Sequence, residues 1–184
     1  MRVGETEIEV VRGSVLDAGA TAIGNAANEA MRGGGGVDGA IHAAAGPQLL
    51  QELRRVAPRG ANTGEAVLTR GHNLNQPFII HTPGPIYNAA HAQECEKLLR
   101  SCYRSCLEIA ARERMESVAF PSISTGIYGY PMEDAARAAL DETIAFLRDT
   151  ENLPLRRVLF SMRGEHEWSV FANALQRLRQ HNEL

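Results

Sequence analysis

The stretch from Asn25 to Gly39 contains residue types that could bind phosphate and activate a water molecule. It reads NAANEAMRGGGGVDG, with Asn25 and Asn28 ahead of four consecutive glycines and Asp38 just after them. Glycine loses the most backbone entropy on folding, so four in a row need a reason. A glycine loop that leads into a helix presents unpaired N–H groups and a positive helix end, which favour a phosphate. From the glycines alone, phosphate binding is only slightly favoured over a flexible loop.

Asp38 has two compatible interpretations. Aspartate is a favoured N-cap, and a helix is expected to begin at about Gly39. Alternatively, the carboxylate faces the ligand and orients or deprotonates a water molecule. The amides of Asn25 and Asn28 both donate and accept, which suits sugar hydroxyls or an ordered water, although asparagine is also common in turns and caps.

A second stretch, Ser122–Tyr130, has a similar composition and reads SISTGIYGY. Ser124, Thr125 and Gly126 offer hydroxyl and N–H donors to a phosphate, and the glycines allow tight turns. Tyr128 could present its ring to a sugar or base, or simply pack against the loop. Two such loops, each leading into a helix, indicate a ligand with two phosphates.

Apolar periodicity along the chain predicts strands that alternate with helices. This order is typical of a sheet covered by helices on both faces, with ligands bound at the carboxyl ends of its strands. The predicted strands are Thr6–Val11, Thr21–Ala26, Glu65–Arg70, Phe78–Thr82, Ser117–Phe120 and Arg157–Ser161, and the predicted helices are Val37–Ala45, Gln48–Val56, Ala92–Arg114, Pro131 to about Arg148, and Trp168–Arg179.

Composition and charge narrow the class of protein. The 184 residues carry a net charge of −3 and no long basic run, which disfavours nonspecific binding to a nucleic-acid backbone. The length suits one domain over residues 1–184. The first residues lack a signal-peptide pattern and no apolar run could span a bilayer, so a cytoplasmic protein without membrane association is expected. Three cysteines do not suggest a disulfide framework, and no metal-ligand set or cofactor motif is visible.

Several motifs in order resemble the macrodomain family, and specifically its MacroD-type branch. The resemblance covers essentially the whole chain, and the combination of motifs is highly specific although each alone is weak. The matching segments are NAAN from Asn25, GGGGVDGAIH from Gly33, AAG from Ala44, TGEA from Thr63, IIHTPGP from Ile79 and FPSISTGIYGYP from Phe120.

This resemblance implies a three-layer α/β/α sandwich with a central mixed sheet and a cleft for ADP-ribose. Enzymes of this branch remove single ADP-ribose groups from Asp or Glu side chains and hydrolyse O-acetyl-ADP-ribose, and some act on ADP-ribosylated phosphate ends of nucleic acids. The expected function is therefore an ADP-ribosyl ester hydrolase that needs no cofactor, acts on mono-ADP-ribosylated proteins and is a monomer. The alternative is a reader module that binds ADP-ribose without turnover, because fold alone does not decide between them.

The resemblance also assigns roles by position. Asp38 is the expected catalytic carboxylate, and Asn28 is expected to contact the distal ribose or a water beside it. The glycine loop would wrap the distal ribose and diphosphate, the second loop would close over the phosphates, and Tyr128 would lie against the distal ribose. The remaining expected substrate-binding residues are Ser14, Val15, Asn25, Gly34, Gly35, Gly36, Val37, Ile41, Ser124, Thr125, Gly126, Ile127 and Arg163.

Two positions depart from the family pattern, and both fall at the adenine end. Ser14 stands where the family usually has an Asp that binds the adenine amino group, and Arg163 stands where many members have a stacking aromatic. A neutral residue in place of a charged partner is expected to cost on the order of 1–2 kcal/mol of binding, although a guanidinium can also stack on a base. The sequence therefore predicts retained chemistry with weaker or less adenine-selective binding, and leaves open a different nucleotide diphosphate.

Overall fold

A seven-stranded mixed sheet forms the middle of the computed structural model, which describes residues 1–182. The strands are β1 (Arg2–Val3), β2 (Thr6–Arg12), β3 (Ala22–Ala27), β4 (Val67–Arg70), β5 (Phe78–Pro83), β6 (Ser117–Phe120) and β7 (Arg157–Met162). The helices are α1 (Gly36–Ala45), α2 (Gln48–Val56), α3 (Ala92–Arg112), α4 (Met132–Asp149) and α5 (Glu165–Asn182). None of the helices in this range is long and apolar enough to cross a bilayer.

The strand order is β1-β2-β7-β6-β3-β5-β4. The two edge strands β1 and β4 pair antiparallel with their neighbours, and the five strands between them are parallel. The carboxyl ends of β3, β6 and β7 therefore meet at one edge of the sheet, where the loops that follow them come together.

Side chains on the inner strands point alternately to two apolar cores. Ala22 and Phe120 belong to the core beneath α3, α4 and α5, whereas Ile23 and Ala119 belong to the core beneath α1 and α2. Strands buried on both faces are expected where helices cover both sides of a parallel sheet. The predicted three-layer α/β/α arrangement is confirmed.

The start of α1 differs from the prediction in a way that matters for the site. The helix begins at Gly36 with Gly35 as its N-cap, so Asp38 lies within the first turn and is not the cap. The earlier start depends on Gly39, where a Cβ would lie 2.6 Å from the carbonyl oxygen of Gly34. Glycine at this position lets the loop fold back across the first turn, and the capping interpretation of Asp38 was wrong.

Two other boundaries also differ. The strand β1 has only two residues, too few for a periodic pattern to show. The last helix starts at Glu165 instead of Trp168. The predicted start was too late because the first turn carries Glu165 and Glu167, which give no apolar pattern. Acidic side chains are favourable at a helix N-terminus, so this turn is stable without apolar packing of its own.

Replacement of Gly24 should destabilise the sheet directly under the site. A Cβ on Gly24 would lie 2.6 Å from Cδ1 of the buried Phe120 ring. We expect Gly24→Ala to lower the free energy of unfolding by about 1–3 kcal/mol, as overpacking in a closed core does, measured by urea denaturation. Gly19→Ala is the control, since a Cβ there meets nothing within 4 Å. Equal stability of both variants would contradict this account of the β3–β6 packing.

Candidate functional site

An open cleft of ≈ 450 Å³ lies at the carboxyl ends of β3, β6 and β7. The glycine loop and the first turn of α1 form one wall, and the second loop forms the other. Residues that follow β7 close one end. The lining residues are Val15, Ala26, Ala27, Asn28, Gly34, Gly35, Gly36, Val37, Asp38, Gly84, Pro121, Ser122, Ser124, Thr125, Gly126, Ile127, Tyr128, Ser161, Arg163 and Glu167.

The amino end of α1 faces the cleft without a side-chain cap. Its N-cap is Gly35, so no side chain bonds to the N–H groups of the first turn. Such unpaired donors, together with the helix dipole, bind anions. A Cβ on Gly34 would lie 3.3 Å from both Asn28 Nδ2 and Asp38 Oδ2, so a larger side chain there would crowd both polar groups.

The Asp38 carboxylate is fixed on the cleft wall although the residue is only 4% exposed. Its Oδ1 accepts a hydrogen bond of 2.8 Å from Asn25 Nδ2 and lies 3.4 Å from His42 Nε2. Its Oδ2 lies on the side of Gly34 and Asn28. One oxygen is therefore occupied by the protein, and the other remains for a ligand or a water.

Asn25 connects Asp38 to a buried histidine. Its Nδ2 also contacts His81 Nδ1 at 2.9 Å, and His81 Nε2 contacts Thr69 Oγ1 at 2.9 Å. The amide nitrogen faces both partners because its oxygen would repel the carboxylate, so His81 Nδ1 accepts and Nε2 carries the proton. Burial lowers the pKa of His81 to about 3, against the attraction of Asp38 and with a further lowering from His42. His81 is therefore neutral in the folded protein.

Asn28 braces the loop in which it lies. Its Nδ2 donates to the carbonyl oxygen of Gly33 at 3.0 Å, and its Oδ1 accepts from the N–H of Met31 at 3.1 Å. An amide nitrogen has two hydrogens, so one stays available on the cleft side. Asn28 therefore holds the glycine loop in shape while it faces the same space as Asp38.

The second loop is held in a strained conformation. Ser124 has a positive φ of 66°, and its carbonyl oxygen accepts from the N–H of Tyr130 at 2.9 Å. Its Oγ is buried and has no hydrogen-bond partner among the described residues. A Cβ on Gly84 would overlap this Oγ, so the close approach of the two segments requires glycine. Strained residues with unpaired polar atoms are typical of binding loops.

The arrangement offers an anion-binding helix end, one buried carboxylate and hydroxyl groups in a single cleft. Within residues 1–182, no group of three or more His, Cys, Asp or Glu side chains is placed to hold a metal ion. The protein groups therefore suit binding of a phosphorylated ligand and acid–base chemistry on a water molecule.

Comparison with known proteins agrees with this geometry. The Macro domain family model matches residues 24–139. A macro domain-containing protein of Chlorobaculum tepidum is 43% identical over 168 residues, which are 91% of this chain and 95% of that protein. The chain belongs to the macro domain family.

Solved macrodomains share the whole fold. A macrodomain of Oceanobacillus iheyensis, solved with ADP, is 40% identical with a TM-score of 0.91, covering 98% of this chain and 96% of that one. A Trypanosoma brucei macrodomain in complex with ADP-ribose is also 40% identical, with a TM-score of 0.84 over 91% of this chain and 68% of that one. This macrodomain therefore shares its fold with proteins that were solved with ADP or with ADP-ribose.

Most of the expected site residues lie on the cleft of this macrodomain, and three do not. Ser14 is not among the residues that line the cleft. Its Oγ accepts from the N–H of Leu16 at 3.2 Å and caps a short 3₁₀ turn. Asn25 is fully buried behind Asp38, and Ile41 is fully buried in the core beneath α1. These three side chains are not on the cleft wall, and their direct contact with a ligand stays a prediction.

Several lining residues were not named individually as ligand contacts, although most of them lie in or beside the two loops that were expected to bind the ligand. Ala26 and Ala27 end β3, Gly84 follows β5, and Pro121 and Ser122 begin the second loop. The rule that ligands bind at carboxyl ends of parallel strands, which already led us to expect a ligand at these loops, covers these positions. It also covers Ser161 at the end of β7, whereas nothing in the sequence indicated Glu167 on α5.

The buried neutral His81 should make this macrodomain sensitive to acid. Its unfolded pKa is near 6.5 and its folded pKa is about 3, so the unfolded chain binds the extra proton as the pH falls below about 6.5. Stability is then lost, by about 2 kcal/mol between about pH 7 and pH 5. Urea denaturation at both pH values measures this difference.

The contribution of His81 is isolated by His81→Gln, which keeps one acceptor and one donor but cannot titrate. Between about pH 7 and pH 5, the free energy of unfolding should fall less in the variant than in the wild type. The difference should be about 2 kcal/mol, the contribution expected from the titration of His81. As a direct check, NMR of the imidazole should show His81 neutral in the folded wild type at about pH 5. A protonated His81 in the folded protein would contradict this account.

Proposed function

We propose that this macrodomain belongs to the MacroD-type branch and hydrolyses ADP-ribosyl esters, both mono-ADP-ribose on Asp or Glu side chains and O-acetyl-ADP-ribose. The observation that carries the proposal is the buried Asp38 carboxylate. One of its oxygens is bound by Asn25, and the other faces the cleft beside the uncapped amino end of α1. A module that only binds would not need a carboxylate held in this way.

The substrate class follows from the two anion-friendly walls. The amino end of α1 can take one phosphate and the second loop, through Ser124 and Thr125, the other. A diphosphate between them would leave the distal ribose near Asp38 and the nucleoside toward Arg163. The ADP and ADP-ribose complexes of the Oceanobacillus iheyensis and Trypanosoma brucei macrodomains support this ligand class.

The proposed reaction needs only water. A water molecule held by Asn28, Asp38 and the substrate diphosphate attacks the ester, its proton passes to Asp38 or to the phosphate, and the C–O bond breaks. The products are free ADP-ribose and the carboxylic acid of the acceptor. The water could attack either the anomeric carbon of the ribose or the acyl carbon of the ester. Reaction in ¹⁸O-labelled water distinguishes them, because the label enters ADP-ribose in the first case and the carboxyl group in the second.

The acceptors in this proposal are mono-ADP-ribosylated proteins in the cytoplasm, with ADP-ribosylated phosphate ends of nucleic acids as a further class. We propose that the protein acts as a monomer and without a cofactor, and the position of the cleft and its carboxylate within one chain supports this part of the proposal. The net charge of −3 favours these small, covalently attached ligands over a nucleic-acid backbone.

The test is release of ADP-ribose from a protein modified on Glu or Asp, with Asp38→Asn beside the wild type. The amide keeps the size of the side chain and its oxygen can still accept from Asn25, so the fold and ADP-ribose binding should be retained. Loss of the base should slow turnover by about 10²–10⁴-fold. Asp134→Asn is the matched control, since Asp134 is also an acidic residue in the first turn of a helix but lies outside the cleft.

Each outcome has a distinct meaning. Normal turnover by Asp38→Asn would remove Asp38 from the chemistry. ADP-ribose binding without turnover by the wild type would make this macrodomain a reader, which is the alternative function. Absence of ADP-ribose binding, measured by calorimetry, would overturn both.

A further inference from the structure

The end of the cleft away from Asp38 contains two charged side chains without partners. The exposed Arg163 and the half-buried Glu167 both line the cleft, and neither side chain makes an ion pair or hydrogen bond within residues 1–182. A Cβ on Gly164 would lie 3.7 Å from the carboxyl carbon of Glu167, so this side chain lies back over the turn between β7 and α5. A hydrogen-bond acceptor, Glu167, and a donor, Arg163, therefore lie at the same end of the cleft and are not paired with each other.

A buried hydroxyl lies beside them. Ser161 is 4% exposed and lines the cleft, and its Oγ has no hydrogen-bond partner among the described residues. Buried polar atoms are nearly always paired in folded proteins, so an unpaired one on a cleft wall indicates a missing ligand. Val15, which is 2% exposed, adds apolar surface to the same end. Apolar surface with a few polar groups at its border suits a flat heteroaromatic ring.

The carboxylate determines which kind of ring edge fits. A carboxylate only accepts hydrogen bonds, so it attracts an amino group and repels a carbonyl oxygen. Ser14 cannot make the same distinction, since a hydroxyl both donates and accepts and can therefore bond to an amino group or to a carbonyl oxygen. Glu167 is the single carboxylate at this end of the cleft in residues 1–182.

We propose that Glu167 is the residue that selects a nucleobase with an exocyclic amino group at the ring position where other bases carry a carbonyl. The inference rests on the proposed function, because it concerns the base of the same nucleoside diphosphate ligand. Arg163 and Ser161 cover the ring or donate to ring nitrogens that are not next to the amino group, and Glu167 accepts from the amino group. A residue of α5 would then keep the selectivity for adenine. By contrast, the replacement of the family's usual Asp by Ser14 predicts weaker or less adenine-selective binding.

The test compares ADP with inosine diphosphate, which carries a carbonyl oxygen in place of the adenine amino group. Calorimetry should show that the wild type prefers ADP by about tenfold, as expected for one hydrogen bond to a charged group. Glu167→Gln should bring the ratio of the two dissociation constants close to one, because the amide can rotate to accept from the amino group or donate to the carbonyl. Glu165→Gln, two residues earlier in α5 and outside the cleft, should keep the wild-type ratio.

The ratio separates this inference from the proposed function. A wild-type preference that persists in Glu167→Gln would overturn the role of Glu167 and leave the ADP-ribose proposal intact. An equal affinity of the wild type for both diphosphates would do the same. Failure of the wild type to bind ADP or ADP-ribose would overturn both proposals. Since both ligands are measured on each variant, a general loss of stability cannot imitate a change in the ratio.

Discussion

The hydrogen bond from Asn25 to Asp38 is the interaction on which the candidate site depends. A carboxylate that is almost completely buried is unfavourable unless it is paired or hydrogen-bonded. Here the nearest donor is an amide that is itself oriented by the neutral imidazole of His81, and the imidazole is oriented by Thr69. This chain of neutral groups fixes one oxygen of Asp38, which also lies 3.4 Å from His42 Nε2.

The geometry of the sheet makes this chain possible. Asn25 and His81 face each other in register on the parallel strands β3 and β5, and Thr69 comes from the adjacent antiparallel edge strand β4. Register in a sheet is specified by the burial of one face, because a slip of one residue turns every side chain to the other side. The apolar neighbours Ile23 and Ile79, which pair across the same two strands, therefore also determine the position of the polar groups.

The sequence was sufficient for the fold and for most of the cleft wall. Alternation of strands and helices indicated the layers, and the glycine and serine loops after β3 and β6 indicated the walls, because backbone chemistry of this kind is local. It was insufficient where a role depends on a tertiary partner. Asn25 appeared to be a ligand contact, but pairing with His81 turns it behind Asp38. Ser14 appeared to face the ligand, but its hydroxyl caps a local turn. Glu167 lies on a helix whose rotation about its axis is determined by packing against α4, β2 and β7.

The position of β7 has a consequence for the synthesis of the protein. This strand is the last in the described chain, yet it lies in the middle of the sheet between β2 and β6. Until it has left the ribosome, β2 has no parallel neighbour, and the largely apolar strand β6 has an open edge. Unpaired edges of this kind are prone to wrong association. The nascent chain is therefore expected to need protection until late in translation, and a message truncated before β7 would yield neither a stable remnant nor a partial cleft.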